Sequence, residues 1–392
     1  MKRVLALALL ALALVGPAGA QVSLPVPVPD VSEVLPTPDV ERTLDNTPLR
    51  EVRRLRIRDL LRTHRRELEA DPQGQPIVRS QILGLGMSRE ALARAEALGF
   101  TIITQEALGE DHLATLRAPR GMSTRRALQR LREADPQGVY DFDHLHFESG
   151  AASGVVLMGQ ASAARGPPRV GVIDSGVPQE GGYAQAISGY QSFAGARTNP
   201  GGHGHAVAAR LLSAAPGARL YVADIYGGAP SGGSSSALAR ALAWLADESV
   251  PVINVSLVGP RNRIVESVVA RVVARGHAIV AAVGNDGPAA APLYPAAYAG
   301  VVGVTAVDAR GRVLIEAGRG PHVDFAASGT VNARVRGTSY AAPIVSALLA
   351  RHLGAPDIAA REHALTALRA RARDLGAAGR DDIYGDGLLE AP

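Results

Sequence analysis

The stretch RVGVID, residues 169–174, carries the reading of the fold. It is a nearly unbroken apolar run that ends on an acid. Four runs of the same build follow: ARLYVADIY at 218–226, VPVINVSL at 250–257, HAIVAAVGN at 277–285 and VVGVTAVD at 301–308. Short apolar runs without polar alternation belong to strands covered on both faces. Helical patterns such as SSALARALAWLADES (235–249) and IVESVVARVVARG (264–276) separate them. Strand and helix in alternation predict right-handed crossovers and a doubly wound parallel sheet, an α/β domain spanning 169–392.

In open parallel sheets, sites form beyond the carboxyl ends of the strands. Several of these runs end in polar residues: Asp174-Ser175-Gly176, Ser256-Leu257 and Gly284-Asn285-Asp286-Gly287. Between them, GGHGHAVAARLL (201–212) sets two histidines in a glycine turn that leads into an apolar helix. Downstream, VRGTSYAAPIVSALLA (335–350) sets Ser339 at the mouth of a buried helix. Pro343 is tolerated there because a first-turn N–H has no helical partner to lose. A serine in that place is either a helix cap or a reactive hydroxyl. The other strand ends favour the second reading, since together they supply the parts for acyl transfer. A serine needs an imidazole to take its proton, and the imidazole needs a buried carboxylate. The oxyanion needs fixed donors, such as an asparagine amide and a backbone N–H.

Outside this region the chain has a different composition. The 392 residues are enough for two or three domains, and an apolar fraction of 47% supports a sizeable core. A net charge of +4 does not suit a nucleic-acid binder as a whole. The first twenty residues join Lys2 and Arg3, a short apolar run and Ala18-Gly19-Ala20, the build of a secretory signal peptide. That run is too short to span a membrane, and no later stretch is long enough, so no transmembrane segment is expected. Cysteine is absent, which removes disulfides and thiolate chemistry.

Residues 21–48 begin with prolines alternating with valine and are expected to form an extended tether. A helix rich in arginine, with eight in residues 49–69, should present a solvated basic face; a linker to residue 78 follows. Residues 79–147 follow the order β-α-β-β-α-β of a small ferredoxin-like unit, with helices capped by Ser88 and Ser123 and VYDFDHLHF as the last strand. The hexapeptide EADPQG occurs at 69–74 and 133–138, each copy read as a helix stop. Residues 148–168, rich in Gly, Ala and Ser, form the expected linker.

The blocks VGVIDSGV, GGHGHAVAA, INVSLVGP, AAVGNDGP and GTSYAAP, in this order, resemble those of the subtilisin-like serine proteases, the subtilases of peptidase family S8. GPHVDFAASG at 320–329 and the ending YGDGLLEA add to the likeness. The resemblance implies Asp174 as the orienting acid, His203 as the general base, Ser339 as the nucleophile and Asn285 as the oxyanion donor. It also implies that Ser256, Leu257 and Val258 form the edge on which substrate pairs as an added strand. The family usually has threonine where His205 stands and often a second histidine where Ala206 stands; matching on the glycine selects His203. Ser328, where the family usually has proline, should perturb one loop and not the chemistry.

The implied activity is secreted endopeptide hydrolysis through an acyl-enzyme, with protein or peptide substrates. No cofactor is expected. Nor is a metal, since Asp286, Asp308 and Asp324 show no ligand spacing and calcium is not indicated. Residues 79–147 resemble the family's pro-domain, an intramolecular inhibitor and folding aid, with processing expected within 148–168. An esterase of the α/β-hydrolase type would order its triad Ser…Asp…His around Gly-x-Ser-x-Gly, unlike this chain. A non-catalytic secreted binding protein on the same fold is the other reading, and labelling by a fluorophosphonate separates the two.

Overall fold

The computed structural model describes residues 49–149, 167–195, 201–332 and 335–391. The expected signal peptide, the Pro-rich tether and most of the Gly/Ala/Ser-rich linker lie outside the described residues.

Helix α1 (Leu49–Thr63) and strand β1 (Leu68–Ala70) come first. A small antiparallel unit follows, built from β2 (Pro76–Leu85), α2 (Arg89–Ala97), β3 (Thr101–Leu108), β4 (Asp111–Arg117), α3 (Thr124–Ala134) and β5 (Val139–His144). Its strands lie in the order β3-β4-β2-β5, and β1 pairs with the start of β2. Both capping serines act as their sequence positions imply. Ser88 Oγ accepts from Ala91 N at 3.2 Å and Ser123 Oγ from Arg126 N at 3.4 Å.

After the short strand β6 (Phe147–Glu148), which ends the N-terminal unit, the larger unit holds β7 (Arg169–Asp174), α4 (Gly182–Ala186), β8 (Ile187–Ser192), α5 (Gly202–Ala214), β9 (Arg219–Asp224), α6 (Ser235–Asp247) and β10 (Val252–Val255). It continues through β11 (Leu257–Val258), α7 (Arg263–Ala274), β12 (Ala278–Ala282), β13 (Val302–Val307), β14 (Phe325–Ser328), α8 (Thr338–Ala350) and α9 (Ile358–Arg371). The expected doubly wound sheet is present: seven parallel strands in the order β14-β13-β12-β10-β7-β9-β8.

Strand alternation assigns each apolar residue to one of two layers. Val170, Val172, Val222 and Val280 face the layer of α5, α8 and α9. Ile173, Ile253, Ile279 and Ala281 face that of α6 and α7. Every residue of α8 is buried, so this helix runs through the core and fixes the height of its first residues, Thr338 and Ser339.

The same alternation couples the small unit to the large one. In β2 and β4, Ile82 and Leu116 pack on α2 and α3, whereas Leu83, Leu85 and Leu113 join the core of α6 and α7. Each of these three side chains contributes about 1.5–3 kcal/mol by leaving water. Two acids of β5 add directed bonds. Asp143 accepts from Ser236 N at 2.9 Å and Ser236 Oγ at 2.8 Å in the first turn of α6. Asp141 accepts from Arg263 N, at the start of α7, at 2.8 Å. Carboxylates at helix N-termini are favoured by the unsatisfied N–H groups there. Arg240 pairs with Glu106 at 3.1 Å, and Arg271 pairs with Asp111.

Three local expectations differ from the structure. VYDFDHLHF is not one strand. It ends as β5 at His144, and Phe147 starts β6, which pairs with the larger unit instead of its own sheet. The first EADPQG opens inside β1 and does not stop a helix. In α1, Leu55 is exposed and Ile57 is buried. The basic face is only partly solvated: Arg54, Arg58 and Arg62 are exposed, but the Arg53 side chain is 15% exposed. Its guanidinium lies over the Phe147 ring, 5.4 Å from the centroid, and its Nε stands 3.4 Å from Asp286 Oδ2. The helical pattern shows which residues share a face; the partner from a distant loop is set by tertiary packing.

Candidate active site

Asp174 is the last residue of β7 and is fully buried. Its Oδ1 accepts from Ser175 N at 2.8 Å and from Ser175 Oγ at 3.2 Å. The carboxylate also accepts from His203 Nδ1, at 2.8 Å to Oδ1 and 3.0 Å to Oδ2. That bond puts the proton of a neutral His203 on Nδ1 and leaves Nε2 as the free base.

His203 lies in the first turn of α5. The glycine beside it is required by packing. Gly204 N donates to Ser175 Oγ at 3.0 Å, and a Cβ on Gly204 would stand 2.1 Å from Ser175 O. The helix therefore approaches the β7 turn closely enough for the imidazole to reach Asp174. His205 points elsewhere, packing edge-to-face on Tyr183 at 5.1 Å. The structure brings His203, and not His205, to the acid.

Ser339 is the second residue of α8. Gly337 precedes the helix with φ of +150°, a value that favours glycine. Tyr340 sets its ring 5.5 Å from the His203 ring. Ser339 Oγ and His203 Nε2 are both buried, and neither has a hydrogen-bond partner. Burial alone would lower the His203 pKa, but the carboxylates of Asp174 and Glu148 outweigh it and push it up to about 9.

Asn285 follows β12. Its Oδ1 accepts from Thr338 N at 3.0 Å, and its Nδ2 donates to Ser149 Oγ at 3.0 Å. Thr338 Oγ1 accepts from Gly284 N at 3.1 Å and shares a hydrogen bond with Ser149 Oγ at 3.0 Å. Ser256 Oγ donates to Ser339 O at 2.9 Å and accepts from Asn254 Nδ2 at 2.9 Å, which fixes the serine turn from below. Ser328 accepts from Arg210 Nη2 through its carbonyl at 3.0 Å and keeps its register with Val307 in the sheet.

Ser256, Leu257 and Val258 form an edge, and that edge is occupied. Glu148 pairs with Leu257 and Phe147 with Val258, antiparallel. Ser149 N donates to Ser256 O at 3.2 Å. On the other side, His146 N donates to Gly233 O at 2.7 Å, and Leu145 bridges to Ser234. Residues 145–149 thus lie extended between β11 and the Gly233-Ser234 segment that leads into α6. At their end, Ser339 N donates to Ser149 O at 3.1 Å. The His146 side chain is buried, with Nδ1 3.2 Å from Gly233 O.

The three acids considered as metal ligands are engaged elsewhere. Asp286 pairs with Arg53, Asp308 holds Arg312 and Asp324 pairs with Arg380.

The model of the subtilase family (peptidase S8) matches residues 168–387, more than half of the chain. The chain belongs to the subtilase family. The subtilase is 30% identical over 251 residues to the minor extracellular protease Epr of Bacillus subtilis (strain 168), across 57% of this chain and 37% of that protein. It is 32% identical over 195 residues to the M-protease of Shouchella clausii (strain KSM-K16), across 46% and 49%. The chain thus spans about half or less of the length of these two relatives. Fervidolysin from Fervidobacterium pennivorans, a keratinolytic enzyme related to subtilisin, superposes with a TM-score of 0.67 at 19% identity, over 83% of this chain and 61% of that one. That likeness is one of fold.

Four residues of the subtilase's site carried no role in the sequence reading: Glu148, Ser149, Thr338 and Arg53. Thr338 stood within the serine block. Glu148 and Ser149 open the linker, where their only signal is the small-residue composition that follows.

Proposed function

We propose that this subtilase is a secreted serine endopeptidase, made as a zymogen whose first substrate is its own chain. Asp174, His203 and Ser339 would act as acid, base and nucleophile, and Asn285 and the Ser339 N–H as oxyanion donors. The observation that carries the reading is the seating of residues 145–149, with the Ser149 carbonyl on the Ser339 N–H. A bound substrate would use the same edge bonds.

In the proposed step, Ser339 Oγ attacks the carbonyl carbon of Ser149 and its proton passes to His203 Nε2. Asp174 stabilises the resulting imidazolium through Nδ1–H. The tetrahedral oxygen is held by the Ser339 N–H and by the Asn285 amide, which turns to it from Ser149 Oγ. The bond from Ser149 to the nitrogen of Gly150 then breaks, and that nitrogen takes the proton from His203. Water, deprotonated by His203, releases the ester and restores Ser339.

Residues 79–147, together with β1, the start of β2 and the closing Glu148-Ser149, would then be the pro-domain. Support comes from Leu83, Leu85 and Leu113 buried on α6 and α7, and from Asp141 and Asp143 at the N-termini of those helices. Arg53, packed on Phe147 and Asp286, would strap the segment down from α1. Secretion is supported by the signal-like first twenty residues. Among the described residues, no helix is long and apolar enough to cross a membrane.

The test is labelling by a fluorophosphonate after processing. The processed wild type should be labelled and should hydrolyse casein; Ser339→Ala should do neither. A processed, folded protein that takes no label would return the chain to the class of binding scaffolds.

A further inference from the structure

The residue before Ser149 brings a second carboxylate to the triad. A carboxylate oxygen of Glu148, a carboxylate oxygen of Asp174 and a ring nitrogen of His203 all lie within 4.8 Å of one another. The place of the Glu148 carboxylate is set from two directions. The pairing of β6 with β11 fixes its backbone. Its Oε1 lies at the start of α5, where a Cβ on Gly201 would stand 3.9 Å from it. A helix N-terminus favours an anion in that place.

We propose, resting on the reading above, that Glu148 is a brake on self-cleavage: its carboxylate stabilises the protonated form of His203 and so withholds the general base while the pro-segment is docked. An imidazole can take the Ser339 proton only when it is neutral. In the uncut chain it faces two carboxylates; in the mature enzyme only Asp174 remains. The groups around His203 are Asp174 on β7, Glu148 on β6, and Ser339 and Tyr340 on α8, while Tyr226 faces the two carboxylates. On its own helix, His205 is turned to Tyr183. Both carboxylates act on His203 in the direction of charge. After the cut, the new carboxylate of Ser149 would add a third anion beside the imidazolium, so the released segment should dissociate more readily as the pH rises.

The experiment refolds the full chain from urea into buffers between pH 5 and 10 and follows the loss of intact protein. Wild-type self-cleavage should rise with pH through a midpoint about one unit above that of peptide hydrolysis by the mature enzyme. Glu148→Gln should bring the self-cleavage midpoint down to the mature value, which speeds cutting about tenfold on the lower limb. The mature enzyme is the same molecule in both cases. A second measurement does not depend on cutting: in Ser339→Ala, the NMR titration of His203 should fall by about one unit when Glu148→Gln is added. Unchanged midpoints in both measurements, or slower cutting by Glu148→Gln with an unchanged His203 titration, would overturn the brake. If Ser339→Ala cuts itself like wild type, or wild type never cuts, the zymogen reading falls, and the brake falls with it.

Discussion

The backbone N–H of Ser339 donates to the carbonyl of Ser149 at 3.1 Å. The nucleophile candidate therefore touches, through its own backbone, the residue that closes the N-terminal unit.

The two histidines of the GHGH turn should differ sharply. His203→Ala should remove turnover to the background level, because the proton from Ser339 then has no acceptor. His205→Ala loses only the edge contact to Tyr183. Its kcat should stay within about fivefold, since one edge-to-face aromatic contact is worth on the order of 1 kcal/mol. Steady-state hydrolysis of a chromogenic peptide checks the ranking; the reverse order would show that the wrong histidine had been matched.

Asn285→Ala should lower kcat by on the order of 10²–10³ with little change in KM, the size established for subtilisin itself and carried over here. Full kcat in this variant would make Asn285 a structural partner of Thr338 and nothing more.

Gly204→Ala should damage the site without touching a reacting group. The new methyl would collide with Ser175 O, so α5 must move and His203 with it. A displacement of about 1 Å can cost on the order of 10² in rate. The overpacking should also cost about 1–3 kcal/mol of stability. Parallel measurement of kcat and urea midpoint would contradict this if either stayed at the wild-type value.

Much of this arrangement could be read from the chain. Parallel strands buried on both faces leave short apolar runs, and a polar residue at the end of such a run is a local signal; hence Asp174 and Asn285 were legible beside the glycine-flanked Ser339. His203 needed the neighbouring glycine to be told from His205. The places of Glu148 and Ser149 were not legible, because pairing across β6 and β11 joins segments far apart in sequence. Arg53 was illegible for a related reason. It stands among arginines of the same helix, and only the docked Phe147 and Asp286 distinguish it.

Stability should respond to pH in opposite senses at two histidines. Burial, with help from His144 and Arg53, holds the His146 pKa down to about 3 against its bond to Gly233 O. A lowered pKa gives stability that is present above the unfolded value of about 6.5 and is lost as the pH falls below it, at about 1.4 kcal/mol per unit. The His203 pKa is raised to about 9. Its contribution is complete below about 6.5 and is lost as the pH rises toward 9. Urea unfolding of the Ser339→Ala chain should therefore show an acid limb that His146→Gln flattens and an alkaline limb that Glu148→Gln flattens. If neither substitution changes the slope on its own side, these histidines are not linked to docking.

The most direct measurement is the mass of the fragments formed by the refolded full chain. The seating of residues 145–149 predicts a cut after Ser149, so the larger fragment should begin at Gly150 and the Ser339→Ala chain should remain whole. A first cut at another bond, or a Ser339→Ala chain that divides in the same place, would contradict the account.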